Sequence, residues 1–534
     1  MVTSGTVNVT AGSASGAGRV GNDKPGVATA TKDCSPWALW VAAFVAALVL
    51  YVATLAPDLC WQDAGYFQYE AARLNFCQPG QVVVVHPWFL IAARVLWWPT
   101  LWNYAYAANL CSAIGTAIAA ANVVLLIWLM TRAVWPAVVG GISFALGHAV
   151  WSHATSAEVY GWAAAFLSAE CLCFWAWRTQ GRARWLVLLF FLNGVAISNH
   201  LMAAISLAFF GGWALVAAIR GRLSWWILPV CAAAWLLGGT PYGMVVGLEY
   251  ARTRDVWATV RSATVGTWGS KVANLSNLAH LFKMSFLYMG LNYPTPSAFA
   301  GIVGVFALVR RRQAFAWAIL LLGGIYLFWA ARYNVADQYT FFIPFYVFGS
   351  VFIGVGASWI LARFGRRYRW LLLALAVLPV GVYAVLPEVA RRSGLTFFQR
   401  MIPYRDPYTH FLRPWKMGDY GPRRFAEEVF QALPPDAIIL ADSTSSRPLK
   451  CLRDIEGRRQ DVLIAADDMV GDAVAIRLWG AGENPLSSPL TFGRRVFVVT
   501  PHRDYAPKWV LEWPWVEPFG LIYEVKREPP GKGS

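Results

Sequence analysis

The chain is short of charge. Only 14% of its 534 residues are Asp, Glu, Lys or Arg, while 57% are hydrophobic. Soluble domains carry about a quarter charged residues, so this balance excludes an ordinary soluble enzyme and implies a polytopic membrane protein. The motifs of soluble nucleotide and hydrolytic enzymes are also missing. There is no phosphate loop, no GxGxxG entering a helix, no HExxH and no GxSxG. The eight cysteines form no CxxC metal pattern, and no repeat of solenoid length occurs. Acidic residues are the scarcer sign, 29 against 45 basic, for a net charge of +16. A basic excess often points to nucleic acid. Here residues 1–388 carry +13 of it and residues 389–534 only +3. The arginines of the first part fall in short stubs between apolar runs, so they read as topology signals, and no nucleic-acid partner is expected.

What is abundant is apolar length and tryptophan, 29 copies of a residue that favours the membrane–water interface. Apolar runs lie at 37–56, 103–130, 134–151, 156–177, 185–198, 200–219, 225–248, 284–309, 313–331, 338–362 and 370–387, most of them near the roughly 20 residues a span needs. The 185–198 run is short and can share a turn with its successor at Ser198-Asn199-His200. Arginine stubs at 132, 178–184, 220–222, 310–312 and 363–369 follow alternate runs. Taken as cytoplasmic markers, they put the N-terminus inside, and the loops 57–102 and 249–283 and everything after about Pro387 outside. The expected organisation is a disordered cytoplasmic N-terminus over 1–36, an all-α polytopic membrane domain over 37–388 with about eleven spans, and a small extracytoplasmic α/β domain over 389–534. Strands are expected there at 437–441, 462–465 and 495–500, after a helix that ends near Leu433. The expected location is a bacterial inner membrane.

Ionisable groups in or beside spans are costly and are functional candidates for that reason. Asp63 lies in a Trp-Gln-Asp-Ala-Gly-Tyr-Phe turn and reads either as a general base for a hydroxyl acceptor or as an ordinary cap. Gly65 allows close approach of backbone or substrate. Glu70 shares its helical face and reads as solvated or paired with Arg73. Cys60 and Cys77 flank Asp63, and an extracytoplasmic loop permits a disulfide there. His153, Glu158 and Tyr160 join two runs on the same side; Glu158 suits either a helix N-terminus or a sugar pocket. Glu170, deep in the fourth run, has no evident partner. Asn199 and His200 fit either a structural role or a contact to phosphate or sugar hydroxyls. Arg332, Tyr333 and Asp337 lie in a further turn, where Arg332 can neutralise a lipid phosphate or merely pair with Asp337. Basic residues of the second loop (Arg252, Arg254, Arg261, Lys271) can also meet lipid phosphates. Several polar turns thus meet one membrane face.

Thr54-Leu55-Ala56-Pro57 followed by Trp61-Gln62-Asp63-Ala64-Gly65 resembles the first-loop signature of a family in the GT-C glycosyltransferase superfamily, that of the transmembrane protein O-mannosyltransferases and their bacterial relatives. Residues 157–161 (Ala-Glu-Val-Tyr-Gly), Ser198-Asn199-His200 and residues 333–337 with Pro344 are similar to later motifs, and the tail matches in style at 433–438, at Arg447-Pro448-Leu449 and at 456–462. The ordered set covers residues 50–465. The resemblance implies transfer of a sugar, typically mannose, from a polyprenyl-phosphate donor to a hydroxyl of a protein or glycan outside the cytoplasm. It puts Asp63 at the catalytic acidic position, and His86, His153, Glu158, Tyr160, Asn199, His200, Arg332, Tyr333 and Asp337 about the donor. No cofactor is expected, and a divalent metal is left open. The chain departs from the family pattern at Ala64 and Tyr66, at Trp88-Phe89 after His86-Pro87, and at 441–445. A transporter or lipid flippase would show two related halves with interrupted helices, which are not found. A non-catalytic assembly protein is separated from an enzyme by sugar transfer itself.

Overall fold

The computed structural model describes residues 35–98, 103–269, 277–335, 337–466, 478–479, 486, 491 and 493–527. Lys271 and the 1–34 segment lie outside these residues. Each of the eleven apolar runs falls on a helix or a broken pair of helices. Among the described residues five helices are long and apolar enough to cross a membrane singly: Pro36–Ala53, Tyr104–Thr131, Ala314–Arg332, Gln338–Phe364 and Arg366–Arg392. Three further stretches are broken pairs, for up to eight spans by length and composition. The expected eleven is therefore an upper reading that would also need Tyr160–Gln180 and the shorter Ala183–Asn199 and Ala203–Ile219.

The breaks have local causes. Val134–Ala145 turns by 67° into His148–Ala154 at Gly147, where an added Cβ would sit 2.7 Å from the Asn292 side chain. Ile227–Gly238 turns by 70° into Thr240–Thr253 at Gly238-Gly239-Thr240-Pro241, the residues least able to continue a helix. Leu278–Asn292 turns by 110° into Ser297–Arg311 across Tyr293-Pro294-Thr295-Pro296.

The tail holds a five-stranded sheet: β1 (Ile438–Ala441), β2 (Leu463–Ala466), β3 (Val496–Val498), β4 (Val516–Phe519) and β5 (Ile522–Val525), in the order β2-β1-β3-β5-β4. The parallel pairs β1–β2 and β1–β3 are the buried apolar runs read from the sequence. The antiparallel β4–β5 hairpin at the edge, with its polar Tyr523-Glu524, was not anticipated.

Membrane helices and tail belong to one unit, and the first loop joins them. Its helix, Gln62–Arg73, is pinned to Tyr104–Thr131 through Gln68. Gln68 donates to Asn109 at 2.9 Å and accepts from the Cys60 N–H at 2.8 Å, while Asn109 donates to the Ala56 carbonyl at 2.9 Å. Arg423 of the tail bridges Asp58 of the loop and Glu456 at 2.7 Å. Cys60 and Cys77 are free thiols, one buried and one exposed. The twelve-residue helix Gln62–Arg73 lies between them, and the structure does not join them in the disulfide that the sequence permits.

Candidate active site

Asp63 occupies the first turn of Gln62–Arg73. The helix is entered through Gln62 at φ 54°, a left-handed conformation uncommon for a residue with a Cβ. Asp63 is solvent-accessible, yet surrounding protein removes enough solvation to raise its carboxyl above the ordinary Asp range, with Arg447 acting in the opposite sense. Accessible and enclosed together describe the wall of a recess.

The recess is assembled from turns far apart in sequence. The backbone of Glu158 is clamped by Ser112, whose Oγ donates to its carbonyl at 2.9 Å and accepts from its N–H at 2.7 Å. The Glu158 carboxyl is close enough to both Asp63 and Asp337 to be repelled by them. Tyr160 begins the next helix and feels the same carboxyls. Its ring packs edge-on to His153 at 5.4 Å and against His200 at 5.5 Å. His200 stacks on His86 at 5.2 Å, and Tyr339 closes the ring cluster 5.6 Å from His153. Asp63, Glu158, Tyr160, Asp337 and the three histidines therefore converge.

The hydrogen-bond partners fix the tautomer of each ring. His86 Nδ1 lies 2.7 Å from the Asn199 carbonyl, and His153 Nδ1 lies 2.7 Å from the Ala149 carbonyl. A carbonyl only accepts, so both rings carry their proton on Nδ1 and offer Nε2 as an acceptor. Burial holds His86 neutral, at about 4. His200 is reversed: its Nδ1 accepts from the Met202 N–H at 3.1 Å, which leaves the proton on Nε2. Two acceptors and one donor suit hydroxyl groups. Asn199 is fully buried and spends its amide on the Val159 carbonyl at 3.0 Å, so it braces the wall. Tyr333 is likewise a packing residue, between Trp329 at 4.8 Å and Phe341 at 4.5 Å. Arg332 ends its helix half-buried, five residues before Asp337.

The cation that acts on Asp63 is Arg447. It lies on Ser443–Lys450, a helix of the tail capped by Asp442, whose carboxylate accepts from the Thr444 N–H at 3.0 Å. That helix docks at Gly65: a Cβ there would fall 2.4 Å from the Cys60 carbonyl and 2.8 Å from Arg447 Cβ. The guanidinium then lies over the Tyr66 ring at 4.8 Å. Glu70, expected to be solvated or paired with Arg73, is buried on the same side. Burial raises its carboxyl, and Arg447, Arg73 and Lys450 pull it down. Lys450 is pushed down to about 7, by burial first and then by Arg447. Sequence reasoning quoted Arg447 for its likeness and gave it no place in the site. The signal available was a short Asp-capped helix with two cations and almost no apolar residue.

Other expectations shift. Arg252 is already paired with Glu249 at 2.8 Å, while Arg254 and Arg261 are exposed. Glu170 has a partner, Asn193, at 3.0 Å. Among the described residues no group of three or more His, Cys, Asp or Glu could hold a metal ion.

The fold is shared with the crystal structure of ArnT from Cupriavidus metallidurans bound to undecaprenyl phosphate, at a TM-score of 0.54 and 14% identity over 91% of this chain and 97% of that one. Its apo state gives the same TM-score and identity, covering 92% and 98%. At this identity the likeness is one of fold. No curated protein matches the chain. Residues 63–221 match the family described as the N-terminal domain of protein O-mannosyl-transferase TMEM260, a match that opens on Asp63.

Proposed function

We propose that the protein transfers a sugar, mannose in the first instance, from a polyprenyl-phosphate donor to a hydroxyl on the outer side of the membrane, by one inverting displacement. Asp63 takes the proton of the acceptor hydroxyl. The acceptor oxygen forms its bond to the anomeric carbon as the bond from that carbon to the phosphate oxygen breaks, and the polyprenyl phosphate leaves with the electron pair. His86 and His153 accept from, and His200 donates to, sugar hydroxyls. Glu158, Asp337 and Tyr160 orient the sugar, and Arg332 receives the phosphate charge. Arg447 favours the ionised form of Asp63 against the upward push of burial.

The observation that carries this reading is the convergence of Asp63, Glu158 and Asp337, three carboxyls from separate turns, around Tyr160 and three neutral histidine faces. The bound lipid named for ArnT supports the donor class. The test is purified protein with polyprenyl-phosphate-mannose and hydroxyl-bearing peptide or glycan acceptors. Transfer is expected, and no transfer to any of them would remove this reading.

A further inference from the structure

The segment between the last membrane helix and the sheet carries a charged cluster that sugar transfer does not use. Arg400, Arg405 and Arg413 each lie over an aromatic ring: Tyr505 at 4.0 Å, Phe411 at 5.3 Å and Trp415 at 5.5 Å. A guanidinium stacked by its face keeps its donors in its own plane, the arrangement that grips phosphate. These edges are not used up. Among the described residues the Nε of all three is buried without a hydrogen-bond partner, a costly state for a charged donor. The Arg400 side chain is 6% exposed, and the carboxylate 2.6 Å from it, Asp442, already accepts from Thr444 and Ser445. Arg405 reaches Gln62, and Arg413 the Ala384 carbonyl, only at 3.4 Å.

Lys416 adds a fourth charge beside Arg405 and Arg413. Asp442 acts on both Arg400 and Arg405, and Asp419 on both Arg405 and Lys416, so cations share carboxylates here. Burial, with repulsion among the cations, depresses Lys416 to about 8 and Arg405 to about 10, as expected where counter-charge is short.

We propose that Arg400, Arg405 and Arg413 form a binding site for a phosphate dianion, beside the Asp63 recess and separate from it. The phosphate is that of a lipid headgroup or of a free phosphate. Position favours the headgroup: exposed Leu395, Phe397 and Met401 follow directly on the last membrane helix, and apolar side chains beside arginines suit a bilayer edge.

The experiment uses the full chain. In neutral detergent, inorganic phosphate is titrated against chloride at equal ionic strength, following the melting temperature and heat of binding. In phosphatidylcholine nanodiscs, melting is compared with and without phosphatidic acid. Phosphate, phosphatidic acid or both should stabilise the protein, and chloride should not. A response to phosphatidic acid alone assigns the site to lipid, and a response to phosphate alone assigns it to a soluble ligand. Arg405→Gln and Arg413→Gln should each weaken binding roughly tenfold. If either variant fails to fold, Arg405→Lys, which keeps the charge and loses the planar fork, should still bind more weakly than the native chain. No response to either ligand, or unchanged affinity in folded variants, overturns the proposal.

Discussion

Gln62 and Asp63 are neighbours in sequence, yet they border regions of opposite charge. On the Asp63 side, Glu158, Asp337 and Glu70 crowd toward Arg447 and Lys450. On the Gln62 side, Arg400 and Arg405 share Asp442, and Arg405 and Lys416 share Asp419. Pooling the two would neutralise both. The protein instead holds them apart with the first-loop helix and the tail helix that docks on it. A carboxylate among carboxylates in an enclosed recess is basic enough to take a proton. Cations that must share their counter-ions favour an added anion. The separation is what makes each region chemically useful.

The comparison can be broken most severely at the base. Asp63→Asn should lower transfer by about 10²–10⁴-fold, the usual worth of a general base, with the melting temperature unchanged. Activity within a few-fold of the native chain would take Asp63 out of the mechanism.

Next in size is the seam that holds loop to tail. Arg423→Ala removes the cation from Asp58, 7% exposed, and leaves Glu456 to Tyr104 and Arg458. Breaking a largely buried pair from one side costs about 3–5 kcal/mol, so denaturant unfolding should show a loss of that order. A loss near zero would mean that water reaches the pair.

Gly65→Ala places a methyl group where the Cys60 carbonyl and Arg447 Cβ already stand. Overpacking of this kind costs about 1–3 kcal/mol, and it should move the tail helix outward. Activity should fall with stability, and an unperturbed variant would show that the docking is loose.

The smallest change sharpens the comparison most. Arg447 holds the Asp63 carboxyl down against the upward push of burial. The base must be ionised, so the acid limb of kcat/KM should lie above the ordinary Asp range. Removing the cation raises the carboxyl further, and the acid limb of Arg447→Ala should shift to higher pH, with Arg447→Lys shifting it less. Infrared titration of the carboxyl, assigned by Asp63→Asn, reads the same shift without sugar transfer. A limb that stays in place removes Arg447 as the counter-charge.

Much of this was legible in the chain. The turns bearing Asp63, Glu158, His200 and Asp337 stood out because charged and polar residues interrupt apolar runs, where they are costly. Strands β1, β2 and β3 were legible as short apolar runs bounded by turn residues. Arg447 was not legible as part of the site, because nothing in a tail sequence states which helix it will meet. Gly65 suggested a close approach but not its partner. Glu70 read as solvated or paired with Arg73, and the sequence did not show that Arg447 and Lys450 of the tail would also act on it. Spacing permitted a disulfide, but it could not show that Cys60 would be buried and Cys77 exposed.

Pro36–Ala53 and Tyr104–Thr131 mark the general limit. Their mean hydropathies are 2.1 and 2.2, but 17% of one and 83% of the other is buried. The sequence by itself determined that the chain is apolar enough for a membrane, where its helices run, and which few ionisable groups stand out against that background. Only the tertiary structure decided which helix faces inward, which turns share a recess, and which arginine answers which carboxylate. Hydropathy and periodicity are properties of one segment, while packing, desolvation and Coulomb energy depend on the distance between segments, and folding alone sets that distance.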